Sequence, residues 1–498
     1  MLKFDVFHNG QAASAVNLDG AYLIGSDAVP IRADLAFVNG QIRCQKRAGG
    51  PASLALLWNV PGFGEVLLET SKVQEREQPH NLNIELARGR LMRISQKRED
   101  WGLHDYAGTE DIADLIDRAR DSFIESLQCS HEPAKAAGLA DQSLALACRA
   151  GEMLATFHAE IFLRHRQQTK TFPKRLFGAV ADLNVDSEDY RNRLMSMGDF
   201  VHVPIPWKLI EPREQEFNWA ALDKTVEFLV SKRVQIKGGP LVCFSDRVIP
   251  PWLYIWEHDF ETIRELFHDH IQRVVQRYGQ YIKTWDVISG IHAENNFGCN
   301  FEQIMDLTRM SATLVKQASP RSHTIIEIAQ PWGEYYARNP RTIPPMLYAD
   351  MCIQSGINFD AFGLQIYFGV GEGGYHVRDL LQISSMIDRF SNIGKNLHIT
   401  GVAVPSSQES DELDAWGGKA QVSRGGHWHK PWDEQVQAEW LSRFYEVAMS
   451  KPFIESISWR DLSDAGQHFM PYGGLLRQDF TPKPSFEALQ TYMKLREA

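Results

Sequence analysis

The alternation of apolar and polar residues changes twice along the chain. From residue 1 to about residue 100, short apolar runs are interrupted by turn signals such as Asn39-Gly40 and Pro61-Gly62. A two-residue Asn-Gly turn between alternating runs is typical of a β-hairpin. We therefore predict an antiparallel β-sandwich over residues 1–105.

After about residue 105 the spacing of the apolar residues becomes that of an α-helix. Apolar residues recur three and four positions apart in IADLIDRARDSFIESL and QSLALACRAGEMLATFHAEIFL, which places them on one face of an α-helix. This pattern predicts two or three helices over residues 106–170 that connect the sandwich to the next domain.

Strand-like and amphipathic helical runs alternate over residues 171–498. Eight strand-like runs follow one another, namely LFGAVADL, DFVHVPIPW, VQIKGGPLV, TWDVISG, HTIIEIA, FDAFGLQIYF, NLHITGVAV and SISWRDL. Eight such units match a (β/α)₈ barrel, whereas a doubly wound sheet needs fewer strands and more often has a glycine-rich phosphate loop. The sequence therefore predicts an α/β fold, a (β/α)₈ TIM barrel with an N-terminal β-sandwich and a helical connector.

The composition of the chain limits the classes of binding partner. The formal net charge of −11 over 498 residues disfavours nucleic acid and anionic membranes, and 13 Trp, 14 Tyr and 26 Phe offer flat apolar surface for a neutral ligand. The six cysteines have no CxxC spacing, and no nucleotide-binding motif occurs, so we predict neither a metal nor a cofactor. The N-terminus MLKFDVFHNG does not resemble a signal peptide. We therefore expect a cytoplasmic protein, or a secreted one if a signal has been removed.

Four segments resemble glycoside hydrolase family 10, the endo-β-1,4-xylanases, in the same order as in that family. They are WKLIEPREQEFNW (207–219), IPPWL (249–253), FDAFGLQIYF (359–368) and GGLLRQDFTPKPSFEAL (473–489). The resemblance covers about residues 171–495, and the N-terminal third has no counterpart in it. It implies a retaining-glycosidase barrel with a saccharide cleft at the carboxyl ends of the strands.

Both catalytic positions of that family differ here. The family's fourth strand ends in an acid/base glutamate, and WDVISG has Gly290 in its place. The seventh strand carries the nucleophile glutamate, and ITGVA has Gly401 there. Gly239, Phe244 and Tyr367 replace three family histidines. A retaining glycosidase needs two carboxyls about 5–5.5 Å apart, so the resemblance implies that this mechanism, and ordinary xylanase activity, are absent.

Glu294 is the candidate replacement carboxylate. It lies four residues beyond Gly290 in GIHAENNFG, where a loop that folds back would bring it into the cleft with His292 tuning its protonation. Alternatively, it caps or solvates the helix that begins near Phe301. The sequence does not single out its partner among the other acids at strand ends, which are Asp246, Glu327, Asp461 and Asp464.

The substrate-binding candidates are aromatic and polar residues at the strand ends. Sugar rings stack on aromatic faces, and their hydroxyls need convergent polar groups. The candidates are Trp207, Asp246, Trp252, His292, Asn295, Gln365, Tyr367 and Trp459. For Trp207 the alternative is packing inside the barrel, whereas for Trp459 the family resemblance implies a place lining the cleft.

The polar loop 405–432 has the length of a lid or binding loop. Its His427 and His429, with an acid such as Asp433, form a weak metal pattern. Exposed or stacking histidines fit this pattern better.

Three hypotheses for function remain. The first is a barrel that binds a poly- or oligosaccharide without the two-glutamate mechanism. The second is a glycoside hydrolase with relocated carboxylates that acts on a polysaccharide other than xylan. The third is a non-catalytic scaffold. Facing carboxyls with shifted pKa values would favour the second over the first.

Overall fold

The first 81 residues form a β-sandwich. The computed structural model describes residues 1–104 and 106–497. One sheet has the order β10-β1-β7-β6, and β9, β8, β4 and β5 belong to the other, while β2 and β3 form a separate hairpin. The strands are β1 (Leu2–Asp5), β2 (Phe7–His8), β3 (Gln11–Ala12), β4 (Tyr22–Ile24), β5 (Pro30–Ile31), β6 (Ala33–Val38), β7 (Gln41–Lys46), β8 (Ser53–Val60), β9 (Gly64–Glu69) and β10 (His80–Asn81).

The predicted Asn39-Gly40 turn joins β6 to β7. Asn39 has φ 53° and Gly40 has φ 76°, and two successive positive φ values are what a tight hairpin turn of the primed type requires. The turn sets the register, in which Val38 pairs with Gln41 and Phe37 with Ile42.

The helical region begins earlier than predicted. Its helices are α1 (Leu82–Asp100), α2 (Glu110–Gln128) and α3 (Pro133–Thr169), so α1 lies within the range predicted as sandwich. Leu82, Ile84 and Leu86 are all buried, and their spacing of two imitates a strand. The side chain of Asn81 accepts a hydrogen bond from the amide of Ile84, and this N-cap starts the helix.

Eight parallel strands close into a barrel, which confirms the predicted fold class. Each coincides with one of the eight predicted runs, and they follow one another around the barrel in chain order. They are β11 (Phe177–Val180), β12 (Phe200–Val203), β13 (Gln235–Gly238), β14 (Thr284–Ser289), β15 (His323–Ile328), β16 (Ala361–Tyr367), β17 (Asn396–Ala403) and β19 (Ile454–Trp459), while β18 (His427–Trp428) lies in the loop before β19.

The helices between these strands surround the barrel. They are α4 (Glu188–Met195), α5 (Trp207–Ile210), α6 (Ala220–Ser231), α7 (Phe260–Tyr278), α8 (Phe301–Ala318), α9 (Glu334–Arg338), α10 (Pro345–Gln354), α11 (Leu380–Ser391), α12 (Glu434–Ser450) and α13 (Pro484–Glu497). One continuous apolar core runs from the sandwich through α1–α3 into the barrel. Among the described residues, no helix combines the length and the apolar character needed to cross a bilayer.

The second half of the loop 405–432 docks on the sandwich. Strand β18 pairs antiparallel with β9 and completes the second sheet. Trp428 Nε1 and His429 Nε2 lie 2.7 and 2.8 Å from the carboxylate of Glu152 on α3, whereas His427 faces Glu65 at 4.0 Å. His427 and His429 therefore contact different acids and do not share a site. This half of the loop, for which the sequence suggested a lid or a binding loop, pairs with the sandwich.

A buried ion pair also fixes the sandwich and helices to the barrel. Arg90 Nη1 on α1 lies 2.7 Å from Asp379 Oδ2, and both side chains are almost inaccessible to solvent. Asp379 also accepts hydrogen bonds from the first amides of α11. Losing either partner would leave an uncompensated buried charge, which is strongly destabilising.

Candidate active site

The chain turns sharply where β14 ends at the barrel mouth. Gly290 has φ +66°, and its carbonyl accepts hydrogen bonds from the amides of Ala293 and Glu294 at 2.9 and 2.8 Å. A Cβ on Gly290 would meet only the Cβ of Ala329, at 3.4 Å. A larger residue here is therefore opposed by the left-handed backbone conformation more than by crowding.

This turn carries Glu294 to the loop that follows β13. Burial raises the pKa of Glu294, and the charge of Asp246 adds to this shift, while Arg247 and a hydrogen bond from Ser245 oppose it. A mostly buried carboxyl with a raised pKa takes up a proton more readily than one in solvent. Glu294 therefore lies among Ser245, Asp246 and Arg247 of the loop after β13.

Glu327 is a second buried carboxylate, at the end of β15. It accepts a hydrogen bond from Gln365 Nε2, and hydrogen bonds with Ser289 and Thr400 and the charge of Arg460 lower its pKa. Burial outweighs these effects, so the net pKa is raised. Gln365 Nε2 also lies 3.3 Å from Ser289 Oγ. The amide predicted to bind sugar hydroxyls is therefore engaged inside the barrel.

Both carboxylates lie near the same thiol. Burial raises the pKa of Cys243 to about 12, and the charges of Glu294 and Glu327 both contribute to this rise. The mouth therefore has two acids with raised pKa values, Glu294 beside the loop after β13 and Glu327 at the end of β15.

The side chain of Tyr367 occupies the space in front of Gly401. A Cβ on Gly401 would overlap the Tyr367 hydroxyl oxygen and lie 2.9 Å from its Cζ. The tyrosine ring is buried and packs against Phe469 and Tyr375, with centroid distances of 4.6 and 5.6 Å. Position 401 is therefore closed by an aromatic cluster.

An open cavity of about 640 Å³ lies beside this cluster, at the ends of β11, β12, β13 and β19. Arg247 and Arg460 both lie over the ring of Phe469, with guanidinium carbons 4.9 and 5.5 Å from its centroid. The cavity thus offers guanidinium donors and acidic acceptors more than free aromatic faces. Its charged lining residues are Asp182, Lys208, Arg247, Asp414, Arg460, Asp461 and His468.

A buried ion pair supports one side of the cavity. His468 Nε2 lies 2.6 Å from Asp411 Oδ2, and His468 Nδ1 lies 3.0 Å from the carbonyl of Gly466. Burial alone lowers the pKa of His468, but the hydrogen bond to Asp411 and the charge of Asp461 raise it to about 9. His468 is therefore a cation at neutral pH.

The three predicted tryptophans lie outside this cavity. Trp207 is buried, stacks on His270 at 4.3 Å and donates its Nε1–H to Glu211, so the alternative of core packing describes it. Trp252 donates to the carbonyl of Glu211. Trp459 is fully buried and donates to a backbone carbonyl, and it does not provide the cleft-lining surface that the resemblance implied.

Most of the polar side chains predicted to bind substrate form hydrogen bonds within the protein instead. His292 is fully buried, stacks on Tyr348 and contacts the carbonyl of Ala329. Burial lowers its pKa to about 4, and it is not among the groups that shift Glu294.

Asn295 and Asp246 are also engaged. Both amide atoms of Asn295 bond to loop backbone. Asp246 is exposed but accepts hydrogen bonds from Tyr254 and Asn296. These side chains stabilise the loops after β13 and β14, and neither of them lines the open cavity.

Arg247, Arg460, His468 and Phe469 were missed by the sequence analysis. Arg460 lies in the eighth predicted strand run, SISWRDL, and Arg247 directly follows the candidate Asp246, so their nearness to strand ends was available as a signal. His468 had none, because its partner Asp411 is 57 residues away along the chain.

Comparison with known proteins matches most of the barrel to one protein family. Residues 201–492 match the model of glycosyl hydrolase family 10, a range that begins inside β12 and ends inside α13. The curated relatives include endo-1,4-beta-xylanase B of Thermotoga neapolitana, which is 23% identical over 307 residues, or 58% of this chain and 79% of that protein. An endo-1,4-beta-xylanase/feruloyl esterase of Xylanibacter ruminicola is 22% identical over 312 residues, or 57% of this chain and 40% of that protein.

Solved structures include a family 10 glycoside hydrolase of Paenibacillus barcinonensis. It aligns with a TM-score of 0.48 at 19% identity, over 66% of this chain and 97% of that one. Native xylanase 10B of Thermotoga maritima aligns with a TM-score of 0.46 at 17% identity, over 67% of this chain and 99% of that one.

Proposed function

The chain belongs to glycosyl hydrolase family 10, and on this premise we propose that its barrel binds a poly- or oligosaccharide without the two-glutamate retaining mechanism. Retaining hydrolysis needs a nucleophile and an acid/base carboxyl about 5–5.5 Å apart. Glycine supplies neither group.

The observation that carries this proposal is the closed space at Gly401. The Tyr367 ring lies where a side chain at position 401 would project, so the nucleophile position is filled by packed aromatic atoms. Gly290 has a left-handed backbone, in which a glutamate would be strained. The two positions are therefore adapted to glycine for different reasons.

The open cavity supports binding of a hydroxyl-rich ligand. Arg247 and Arg460 provide hydrogen-bond donors beside the acceptors Asp182 and Asp461. Saccharide recognition needs convergent donors and acceptors in a pocket of a few hundred Å³. The two xylanases described above are named for action on xylan, which supports a polysaccharide as the ligand class for this barrel.

The test measures binding and cleavage on a panel of polysaccharides. We expect at least one polysaccharide or its oligomers to bind, with no release of reducing ends above background. Arg247→Ala should weaken binding by about tenfold, or 1.4 kcal/mol, because it removes a donor from the cavity.

Arg273→Ala is a matched control, because Arg273 also lies over a phenylalanine ring, that of Phe217 at 4.6 Å, on a distant helix. Equal effects of the two variants would contradict a saccharide site in the cavity. Binding to nothing on the panel, with no product, would instead favour the scaffold hypothesis.

A second candidate function is hydrolysis with relocated carboxylates, and the environment of Glu294 favours it. Its buried carboxyl with a raised pKa could act as a general acid, while Glu327 is a less accessible partner. If the panel yields product, Glu294→Gln should abolish release of reducing ends. Glu302→Gln, an exposed change in the first turn of α8, should leave it unchanged. Product that survives Glu294→Gln would exclude this candidate.

A further inference from the structure

Three side chains that can bind a metal ion converge at the amino-terminal end of the barrel, opposite the mouth. His323 begins β15, His398 lies in β17 and Glu455 lies in β19. Their potential ligand atoms all lie within 4.8 Å of one another. Within residues 1–104 and 106–497, no other group of three or more histidine, cysteine or acidic side chains meets this criterion. The open cavity lies at the other end of the strands.

The distances form a nearly regular triangle. His323 Nε2 and His398 Nε2 are 3.0 Å apart, His398 Nε2 and Glu455 Oε2 are 3.1 Å apart, and His323 Nε2 and Glu455 Oε2 are 3.5 Å apart. For Zn²⁺ with bonds of about 2.0–2.1 Å, the edge of a coordination tetrahedron is about 3.3 Å. The three atoms therefore already lie at the spacing of one tetrahedral face.

Neighbouring groups hold two of the ligands in this orientation. Asn396 Nδ2 donates a hydrogen bond to Glu455 Oε1 at 2.6 Å, which leaves Oε2 facing the histidines. Ser456 Oγ lies 2.6 Å from His398 Nδ1, so Nδ1–H can donate to it and leave the lone pair on Nε2. Such outer contacts fix the orientation and tautomer of metal ligands.

The nearest fixed cation does not block the triangle. Lys237 Nζ contacts Ser456 Oγ and lies 3.4 Å from His398 Nδ1, so it is on the opposite side of the imidazole from Nε2. The ammonium also lies 3.9 Å from the ring centroid of Phe200.

We propose that His323, His398 and Glu455 bind a divalent transition-metal ion of the zinc type. The side chains of His323 and Glu455 are 33% and 35% exposed, so the ion has a path from solvent and a water completes its coordination. Because β16 lies between β15 and β17, the ion links strands that are not all adjacent. It stabilises the end of the barrel that serves stability more than chemistry.

The test uses the full chain, treated with a chelator and then titrated with Zn²⁺ by calorimetry. We expect one ion per chain and at least tenfold weaker binding in His323→Ala and in Glu455→Gln. Adding Zn²⁺ should raise the Tm of the wild type but not that of these two variants. Co²⁺ should give the visible absorption bands of a tetrahedral nitrogen and oxygen site.

His258→Ala is the matched control. His258 faces Glu257 at 3.5 Å without a third ligand, so this variant should bind Zn²⁺ as the wild type does. The proposal is overturned by the absence of stoichiometric binding at micromolar Zn²⁺. It is equally overturned by unchanged affinity in both site variants, which would assign the ion to other histidines or thiols. Circular dichroism of each metal-free variant separates loss of the site from loss of the fold.

Discussion

The two ends of the barrel use their side chains differently. At the mouth, Tyr367 covers Gly401, one of the two positions that the resemblance assigns to catalysis, and Gln365 binds Glu327. At the amino-terminal end, His323 and His398 converge with Glu455, and their ligand atoms face a common centre. In (β/α)₈ enzymes the mouth carries the chemistry and the other end carries stability.

The barrel packs aromatic side chains in front of Gly401 at its mouth, and it brings two histidines and a glutamate together at its other end. The predictions below test the mouth and the opposite end in turn, in order of decreasing effect.

The largest effect is expected from His468→Asn at the mouth. The folded pKa of His468, about 9, lies above its ordinary value of 6.5, so the folded state gains stability from the proton. This gain is full below about pH 6.5 and is lost as the pH rises through about 9. Denaturant unfolding should show a loss of about 3 kcal/mol at pH 6 and little loss at pH 10. A loss that does not change with pH would contradict a charged His468–Asp411 pair.

Gly401→Ala should have the next largest effect. Its Cβ would overlap the Tyr367 hydroxyl, and overpacking of this kind destabilises by about 2 kcal/mol. In a Tyr367→Phe background the loss should fall but not vanish, because Cζ remains 2.9 Å away. A double-mutant cycle by urea unfolding measures this coupling, and strictly additive effects would show that position 401 is not closed by Tyr367.

Ser456→Ala tests the opposite end of the barrel. Loss of the contact to His398 Nδ1 should lower Zn²⁺ affinity by about tenfold, or 1.4 kcal/mol. Calorimetry at one fixed pH gives the ratio to the wild type. Thr169→Ala is a control in which a hydroxyl is removed on the distant helix α3, and it should bind as the wild type does. Equal affinities in all three proteins would exclude Ser456 from orienting a ligand.

The smallest effect is expected at Gly290. Gly290→Ala should destabilise by about 1 kcal/mol, because the left-handed conformation costs a residue with Cβ about that much while the neighbouring space is open. Gly290→Asn should be better tolerated, since asparagine adopts this conformation more readily. Unfolding curves of the two variants, compared with that of Gly401→Ala, distinguish a backbone cause from a steric one.

Local patterns predicted the barrel because they depend on near neighbours. Every barrel strand coincides with an apolar run, and the Asn39-Gly40 turn forms as the dipeptide predicts. Helix α1 was misassigned because Leu82, Ile84 and Leu86 alternate like a strand while the cap at Asn81 starts a helix. Local periodicity alone did not distinguish the two.

The candidate site was predicted less well, for a different reason. Glu294 lies beside the loop after β13 because the turn at Gly290 redirects the chain, and this turn is a local feature. His292 and Asn295 lie in the same loop, but His292 contacts the carbonyl of Ala329 and Asn295 bonds to the backbone of Cys299 and Arg341. Which way each side chain faces depends on partners distant in the chain, and spacing in one sequence does not encode those partners.

The sequence by itself determined the eight-stranded α/β barrel, the sandwich before it and the glycines at positions 290 and 401, because periodicity, turn residues and residue identity are properties of short segments. Only the tertiary structure decided that Tyr367 closes position 401, that β18 completes a sheet of the sandwich, and that His323, His398 and Glu455 meet. Each of these contacts joins segments separated by tens to hundreds of residues, and burial and geometry select them only once the barrel has closed.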